Sequence, residues 1–417
     1  MVLLILAGVS ISLVLDNNGI IKRSKDARRE YGQAKDNEQA QMSGVSDWID
    51  NQVGENGGTK VNPTVPGWEN KKDYNSTING GKGNANNPTI PAGYVPINTD
   101  TSNWGDGSSA PTQDSVDHGL VIRDDSNNEW VWVPVPDVTV MCDTSNTTEY
   151  TLCGTEGETA VTTNKYSKSE IISGKKRTTP GTTTSGSYRE PDLVVGSNGT
   201  IFDAKEGCYK TILGFESKEK MAEAFVADYD EMIASISKYG GFYIGRYELS
   251  SVGVQKDKET LVSENWYNLY KKCKELNASN KVETRMIWGC QWDVTCNFIA
   301  NKGDKKSITD SSSWGNYPNS IEPANTGNYE QYVLKNTGSN EAWKANNIYD
   351  LAGNCDEWTQ EASSTNYRTY RGGEYDHDGS YYPASSSTTY TPVGSHTYIS
   401  IRFSSHFNNK VILDSRA

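Results

Sequence analysis

The chain has 417 residues, enough for two or three domains, but only 35% of them are hydrophobic, which predicts one substantial core with polar segments attached to it. The formal net charge of −13 argues against a nucleic-acid partner, because contacts to phosphate groups need clustered lysine and arginine. Four histidines beside 24 tyrosines, 11 tryptophans and 38 glycines indicate a loop-rich protein with aromatic anchors and disfavour imidazole-based catalysis.

An apolar run at residues 2–15 opens the chain and contains nothing more polar than two serines. A transmembrane helix needs about 20 apolar residues, and a secretory signal carries basic residues before its apolar run, whereas here they follow it. Helical periodicity then continues to Val53 around charged positions. Residues 1–53 are therefore predicted to form one long, interrupted helix, apolar first and amphipathic afterwards.

The phrase LILAGVSISLVLDNNGIIKRSKDA, at residues 4–27, resembles the N-terminal helix of type IV pilin-like proteins. The prepilin leader, its processing site and the glutamate that follows them are not seen, so we expect the sequence to begin part-way along that helix. The resemblance implies association with a membrane or a pilus through residues 1–53. It also implies a location outside the cell, at the cell surface or on a pilus.

A polar linker or stalk is predicted at residues 54–89, because Asn, Gly, Thr, Ser and Pro bury too little apolar surface to offset the entropy of ordering. Similar composition continues to Asp117. Two paired strands are then predicted at 119–125 and 129–136, joined by a turn at Asn127 and Asn128. Another polar tract predicts a long insertion at about 137–214.

Helical periodicity returns at residues 218–238 and 261–277, with a strand predicted between them at 240–250. An apolar segment at 285–303 is expected to end in a short helix. These elements predict an α+β domain with a mostly antiparallel sheet. The predicted core residues are Val131, Val133, Phe242, Ile244, Ile287, Trp288, Trp292, Phe298, Leu351, Trp358 and Phe403.

The seven cysteines contain no C-x-x-C motif and no cluster with histidine, which argues against a zinc site. Cys142 and Cys153 are spaced to close a local disulfide in an extracellular protein, and so are Cys290 and Cys296. Buried cysteines acting as small hydrophobic residues are an equally good interpretation.

The stretch 363–400 is the most informative part of the sequence. It holds seven of the 24 tyrosines and is otherwise rich in Ser, Thr, Asn, Asp and His. Tyrosine gives a large contact area with few torsions to freeze, and short polar residues adapt around it, as in antibody binding loops. Apolar segments bracket the stretch on both sides, so we expect an ordered recognition surface.

Five phrases in order, GGFYIGRYE, IWGCQWD, NNIYDLAGNCDEWT, YRGGEY and SIRF, resemble the formylglycine-generating-enzyme-like version of the C-type lectin fold. The resemblance covers residues 90–403, with a variable region at about 354–400, and leaves 404–417 as a C-terminal tail. It implies that Trp358 fills core, that Asn354 holds a turn through bonds to backbone, and that Arg371, Gly372 and Gly373 shape a tight loop.

An oxidase of the formylglycine-generating type is the competing hypothesis, and it needs a cysteine pair after the R-G-G motif to hold copper(I). Cys355 is the last cysteine of the chain, so that pair is absent. Iron-dependent relatives need three histidines, and His377 and His396 have only His406 as a third. The sequence therefore predicts no catalytic residue, no metal and no cofactor.

The same fold also resembles the variable proteins of diversity-generating retroelements, in which adenine-directed mutagenesis rewrites codons such as AAC. The residue types enriched at 367–398 are largely those that such codons can give, whereas Glu374 is not among them and is expected to be a fixed scaffold position. The predicted ligand-binding residues are Tyr367, Tyr370, Tyr375, Asp376, His377, Asp378, Tyr381, Tyr382, Ser386, Thr388, Tyr390, His396 and Tyr398. The expected ligand is a protein or glycan on another cell, phage or host surface.

Two further alternatives remain. Glu374, Asp376 and Asp378 offer oxygen ligands for Ca²⁺, although the Glu-Pro-Asn and Gln-Pro-Asp phrases of sugar-binding lectins are missing. A purely structural minor pilin is the other alternative.

Overall fold

The computed structural model of the chain describes residues 83–91, 93–105, 109–137, 149–156, 159–167, 177–178, 187–188, 207–276, 282–320, 332–362 and 367–407. All of them belong to one unit of the chain, Thr64–Ala417. The predicted pilin-like helix at 1–53 lies outside the described residues. Within the described ranges, no helix is long and apolar enough to cross a lipid bilayer.

Most of the described secondary structure is strand. The strands are β1 (Tyr94–Ile97), β2 (Val121–Asp124), β3 (Glu129–Pro134), β4 (Glu149–Glu156), β5 (Thr159–Ser167), β6 (Arg177–Thr178), β7 (Ser187–Tyr188), β8 (Gly241–Gly245), β9 (Val282–Met286), β10 (Lys344–Ala345), β11 (Ile348–Tyr349), β12 (Asp356–Ala362), β13 (Arg368–Arg371), β14 (Ser387–Tyr390), β15 (Ile399–Ile401) and β16 (Phe403–Phe407). The α-helices are α1 (Gln113–Asp117), α2 (Lys218–Tyr239), α3 (Trp266–Glu275) and α4 (Gly289–Asn301), with a π-helical turn at Gly207–Ile212 and a 3₁₀ turn at Glu341–Trp343.

Two larger sheets organise the described chain, which is a mixed α+β structure. The first has six strands in the order β1-β2-β3-β8-β16-β9, and every neighbouring pair in it is antiparallel, as predicted. The second has the order β14-β13-β12-β15, and its β12–β15 pair is parallel. Arg402 alone separates β15 from β16, so the chain passes from one sheet to the other across a single residue.

Helix α2 begins and ends within one residue of its predicted bounds. The Ser217 side chain accepts a hydrogen bond from the Lys220 amide at its start, and Gly240, with φ of 78°, ends it in the left-handed conformation. The apolar residues that recur along one face of it, Met221, Phe225, Met232 and Ile236, are buried.

Two other helix predictions need correction. Helix α3 starts five residues later than predicted because Asn265 caps it, accepting from the Asn268 amide, and because Ser263 instead donates its backbone N–H to the carbonyl of His396. The predicted short helix within 285–303 is the 13-residue α4, which follows directly on β9.

All eleven predicted core residues are buried, which confirms that part of the sequence analysis. Ala85 and Thr89, at the end of the predicted linker, are buried. The Trp132 indole N–H donates to the Ala85 carbonyl at 2.9 Å, and the Tyr243 hydroxyl donates to the Thr89 carbonyl at 3.0 Å. These contacts are made by backbone carbonyls, so the polar side-chain composition of the segment did not predict them.

The disulfide considered between Cys290 and Cys296 does not form. The Cys290 thiol donates to the Tyr229 hydroxyl at 3.9 Å, and the Cys296 thiol donates to the Ala384 carbonyl at 3.7 Å. Both are buried on helix α4, so the interpretation as small hydrophobic residues holds for this pair. The Cys142–Cys153 pairing lies outside the described side chains.

Candidate binding surface

Two buried ion pairs fix the second sheet. Arg371, at the end of β13, donates to both carboxylate oxygens of Glu361 on β12 at 2.8 and 2.9 Å. Arg402 donates to both oxygens of Glu357 on β12, the shortest distance being 2.6 Å. All four side chains are fully buried. Breaking a buried pair leaves an uncompensated charge, so these contacts hold the strands in one arrangement.

A turn of left-handed residues leads into β12. Asp350, Gly353 and Asn354 have φ of 54°, 71° and 63°, and Asp and Asn tolerate this region better than other side chains do. The Asn354 side chain donates to the Glu248 carboxylate at 2.6 Å, donates to the Lys335 carbonyl and accepts from the Lys335 amide. The predicted role of Asn354 is confirmed, with the backbone of Lys335 as its partner.

Gly372 and Gly373 turn the chain out of β13. Their φ values are 99° and 75°, and a side chain at Gly373 would lie 2.1 Å from the Tyr382 carbonyl oxygen. Only glycine satisfies both conditions. The predicted tight loop is confirmed, and it brings residue 373 against residue 382.

Two polar loops meet at the start of β12. The Tyr375 amide donates to the Asn354 carbonyl at 3.1 Å, and the Asp356 amide donates to the Tyr398 carbonyl at 3.0 Å. Residues 354 and 356 lie two positions apart on one chain segment. The loops that follow β13 and β14 are therefore brought together although 23 positions separate Tyr375 from Tyr398.

Aromatic rings on these loops contact one another in two groups. His377 packs on Tyr382 with ring centroids 4.7 Å apart, and Tyr382 packs on Tyr381 at 4.9 Å. In the second group, His396 lies 4.1 Å from Tyr390 and 5.2 Å from Tyr398. We call the surface formed by these two groups with Tyr375 and Asp376 the tyrosine face.

The predicted contact residues differ in exposure. Tyr381 is 66% exposed, Tyr367 47% and Tyr390 39%. Asp376, His377 and Asp378 are also exposed, and Tyr375, Tyr382, Thr388, His396 and Tyr398 are intermediate. Tyr367 and Thr388 lie on strands β13 and β14 or at their ends, outside the two ring groups.

Two predicted contact residues are buried and are corrected here. Tyr370 is 8% exposed because its ring packs edge-on against Trp358, its cross-strand neighbour, with centroids 5.5 Å apart. Ser386 is also 8% exposed and closes a turn by donating its amide to the Pro383 carbonyl. Both belong to the scaffold.

Two carboxyls lie beneath the tyrosine face. Burial raises the pKa of Asp356 well above its usual range, and the neighbouring Glu374 raises it further. Burial also raises the pKa of Glu374 to about 8, with Asp376 adding to the effect. Burial raises the pKa of Tyr382 and of Tyr398, and in both cases Asp356 and Glu374 raise it further. Both ring groups thus adjoin the same pair of carboxyls.

Glu374, Asp376 and His377 bring their polar atoms together. His377 Nδ1 lies 2.8 Å from a carboxylate oxygen of Glu374 and 2.8 Å from one of Asp376. Asp378 is not part of this cluster. Its Oδ1 accepts from Asn319 Nδ2 at 2.6 Å and from the Ser380 amide and hydroxyl, and the hydrogen bonds from Ser380 lower its pKa. The oxygen set considered for Ca²⁺ is therefore not assembled as predicted.

Asp356 was absent from the predicted site. Alternation along β12 places it on the same side of the strand as Trp358, the partner of Tyr370. The parallel register of β12 with β15 sets Asp356 opposite Ile399, next to Tyr398. The strand alternation was readable from the sequence, whereas the pairing with β15 was not.

A separate groove of about 250 Å³ lies away from these residues. Val135, Val294 and Phe298 give it apolar walls, and Asp117 and Lys302 lie at its margin. None of the predicted contact residues lines it, so its position does not support the recognition surface.

Comparisons with known proteins give weak likenesses only. No protein-family model matches the chain, and no curated protein matches it in sequence. Among solved structures it is similar to Treponema denticola variable protein 1, with a TM-score of 0.28 and 14% identity over 40% of this chain and 84% of that one. CarF gives 0.28 and 14% over 40% and 87%, and PvdO from Pseudomonas aeruginosa gives 0.27 and 13% over 40% and 81%. TM-scores this low do not establish a shared fold.

Proposed function

We propose that this chain is a ligand-binding protein whose tyrosine face is a diversified recognition surface of the kind made by diversity-generating retroelements. The observation that carries the proposal is the convergence of two tyrosine- and histidine-bearing loops at Asn354 and Asp356, above a sheet held by buried ion pairs. Rigid aromatic anchors surrounded by short polar side chains suit non-covalent recognition. We also propose a C-type lectin fold for residues 90–403, which we call the head. This part of the proposal rests on the five sequence phrases that resemble that fold.

The competing oxidase needs a thiolate to bind copper(I), and the described residues disfavour one at this surface. Burial raises the pKa of the Cys355 thiol well above its usual range, and Glu248 and Glu357 raise it further. Cys355 is buried and precedes the Arg371-Gly372-Gly373 motif, so it does not supply the cysteine pair that copper(I) needs after that motif. We therefore propose a protein without enzymatic activity.

Surface display is part of the same proposal and rests on the sequence of residues 1–53. Anchoring or assembly through that segment would carry the tyrosine face towards a protein or glycan on another cell, phage or host. Fractionation of producing cells followed by protease shaving tests it: the head should be digested from intact cells. Protection of the head until lysis would contradict display.

The decisive test of diversification is at the DNA level. We expect a template repeat near the gene, close to a reverse transcriptase gene, with adenines at the codons for Tyr375, Asp376, Tyr381, Tyr382 and Tyr390. Sibling genes should differ at these codons and agree at Trp358 and Arg371. Equal divergence along the whole gene, with no repeat nearby, would contradict the proposal and favour a structural pilin.

Binding is tested separately with the purified full chain on glycan and protein arrays. For any ligand found, Tyr381→Ala and Tyr382→Ala should each weaken binding by roughly 30-fold, since truncating a central aromatic costs about 2 kcal/mol or more. Val252→Ala is the matched control, because Val252 is 55% exposed in a turn outside the tyrosine face. Equal loss in the control, or none in the tyrosine variants, would place the binding elsewhere.

A further inference from the structure

Two carboxyl groups and one imidazole converge on one point of the tyrosine face. Glu374, Asp376 and His377 each bring one ligand-type atom within 4.8 Å of the others, and His377 Nδ1 lies 2.8 Å from both carboxylates. Two donor atoms about 2.1 Å from one tetrahedral metal ion are about 3.4 Å apart. The three atoms are therefore close to the spacing of ligands on a shared ion.

Glu374 gives an independent reason to expect a ligand. Its side chain is only 7% exposed, and its Oε2 is buried with no hydrogen-bond partner. Leaving a buried carboxylate oxygen without a partner is costly, so such an atom needs an explanation. Its other carboxylate oxygen already faces His377, which aims the whole group into the cluster.

The charge around the cluster also favours a cation. Asp356, only 5% exposed, is a further acidic group close to Glu374. With Asp376 this makes three acidic groups against one imidazole. The His377 imidazole contacts one oxygen of Glu374 and leaves Oε2 without a partner, whereas a divalent ion can contact both oxygens of that group.

We propose that Glu374, Asp376 and His377 form a divalent transition-metal site, with Asp356 as a buried carboxyl behind it. One imidazole with two carboxylates is a nitrogen-and-oxygen set that suits Zn²⁺ or a similar ion better than Ca²⁺ or Mg²⁺. The edge of the Tyr382 ring against His377 holds the imidazole in place. A metal here would leave positions open towards solvent, where a ligand of the tyrosine face can coordinate. The site itself does not depend on the proposed binding function.

The test is titration of the metal-stripped full chain with Zn²⁺ by calorimetry, with Ca²⁺ in a parallel run. We expect one equivalent of Zn²⁺ to bind, and His377→Ala and Asp376→Asn each to weaken that equivalent at least tenfold. Both residues are about half exposed, with side chains 47% and 45% accessible, so the variants should fold. Asp378→Asn is the matched control, because this neighbouring exposed acid is bonded to Ser380 and Asn319.

Nitrogen NMR of the histidine side chains provides a second readout, since the chain has only four histidines. Zn²⁺ should shift the Nδ1 resonance of His377 and leave that of His396 in place. Absence of Zn²⁺ binding would overturn the proposal. So would binding that is unchanged in His377→Ala, or tighter binding of Ca²⁺ than of Zn²⁺.

Discussion

Glycine positions show how single residues hold the tyrosine face together. Gly373 and Gly214 have nearly the same backbone, with φ of 75° and 76°. A side chain would meet the Tyr382 carbonyl oxygen at 2.1 Å from Gly373, but nothing within 4 Å from Gly214. A side chain at Gly214 would therefore suffer only from the left-handed backbone. A side chain at Gly373 would also clash with the neighbouring loop segment.

We expect Gly214→Ala to lower the free energy of unfolding by about 1–2 kcal/mol, the cost of left-handed backbone alone. Gly373→Ala should cost roughly 2 kcal/mol more, because the loop must also move away from residue 382. Urea denaturation of the two variants measures the difference. Equal losses would mean that the contact between residues 373 and 382 is not tight.

Asn354 is a second residue whose role can be measured. Asn354→Ala removes its bonds to Glu248 and to the Lys335 backbone, all in the protein interior, and should cost roughly 2–4 kcal/mol of stability. Asn336→Ala is the control, because Asn336 is exposed and donates one bond, to the Asp257 carbonyl. Its cost should stay below about 1 kcal/mol in the same denaturation experiment.

At the scale of elements, strands anchor the scaffold and loops present side chains to solvent. Strand β13 makes two contacts that anchor the second sheet. The Arg368 guanidinium stacks over the Trp266 ring of α3, 4.0 Å from its centroid, and the Tyr370 ring packs on Trp358. The loops that follow β13 and β14, together with Tyr390 at the end of β14, carry the rings of the tyrosine face. Side chains on the loops are therefore free to change while the strands hold the backbone.

Denaturation of single variants tests this division. Tyr381→Ala and Tyr390→Ala should change the free energy of unfolding by no more than about 0.5 kcal/mol, as exposed positions do. Trp358→Ala should lower it by about 3–5 kcal/mol, because the ring is fully buried. Loss of stability in the tyrosine variants comparable to that of Trp358→Ala would contradict a recognition surface that tolerates variation.

For the whole molecule, buried carboxyls predict how stability depends on pH. Burial raises the pKa of Asp350 to about 6 and of Glu374 to about 8. In the unfolded chain these groups ionise near pH 4, so between about pH 5 and 8 the folded state binds more protons. Stability should therefore fall as the pH rises through this window. A group with a lowered pKa, such as Glu341 at about 2, changes stability only at a pH below this window.

Urea unfolding at pH 5.5 and pH 8.5 measures this effect, and the midpoint should be lower at pH 8.5. Glu374→Gln should flatten the upper part of the decline, because it removes a group whose pKa of about 8 lies at the top of this window. A midpoint that is constant or rises with pH would show that these carboxyls are ionised in the folded state.

Local patterns were sufficient for much of the fold. The 3.6-residue period located α2, and all eleven residues predicted for the core are buried. Local patterns failed where a backbone contact with a distant segment decided the outcome. The Ser263 amide donates a hydrogen bond to the His396 carbonyl, so α3 starts later than predicted. The carbonyls of Ala85 and Thr89 accept hydrogen bonds from Trp132 and Tyr243.

By itself the sequence determined which chemistry the C-terminal loops carry, since composition alone puts tyrosines and short polar residues there. Only the tertiary structure decided which of those side chains are available. It buried Tyr370 against Trp358, set Asp356 beneath Tyr398 through the β12–β15 register, and joined the loops of Tyr375 and Tyr398 at the start of β12. The physical reason is that periodicity and composition report on neighbours along the chain, whereas burial and electrostatic coupling depend on strand pairing between segments far apart in sequence.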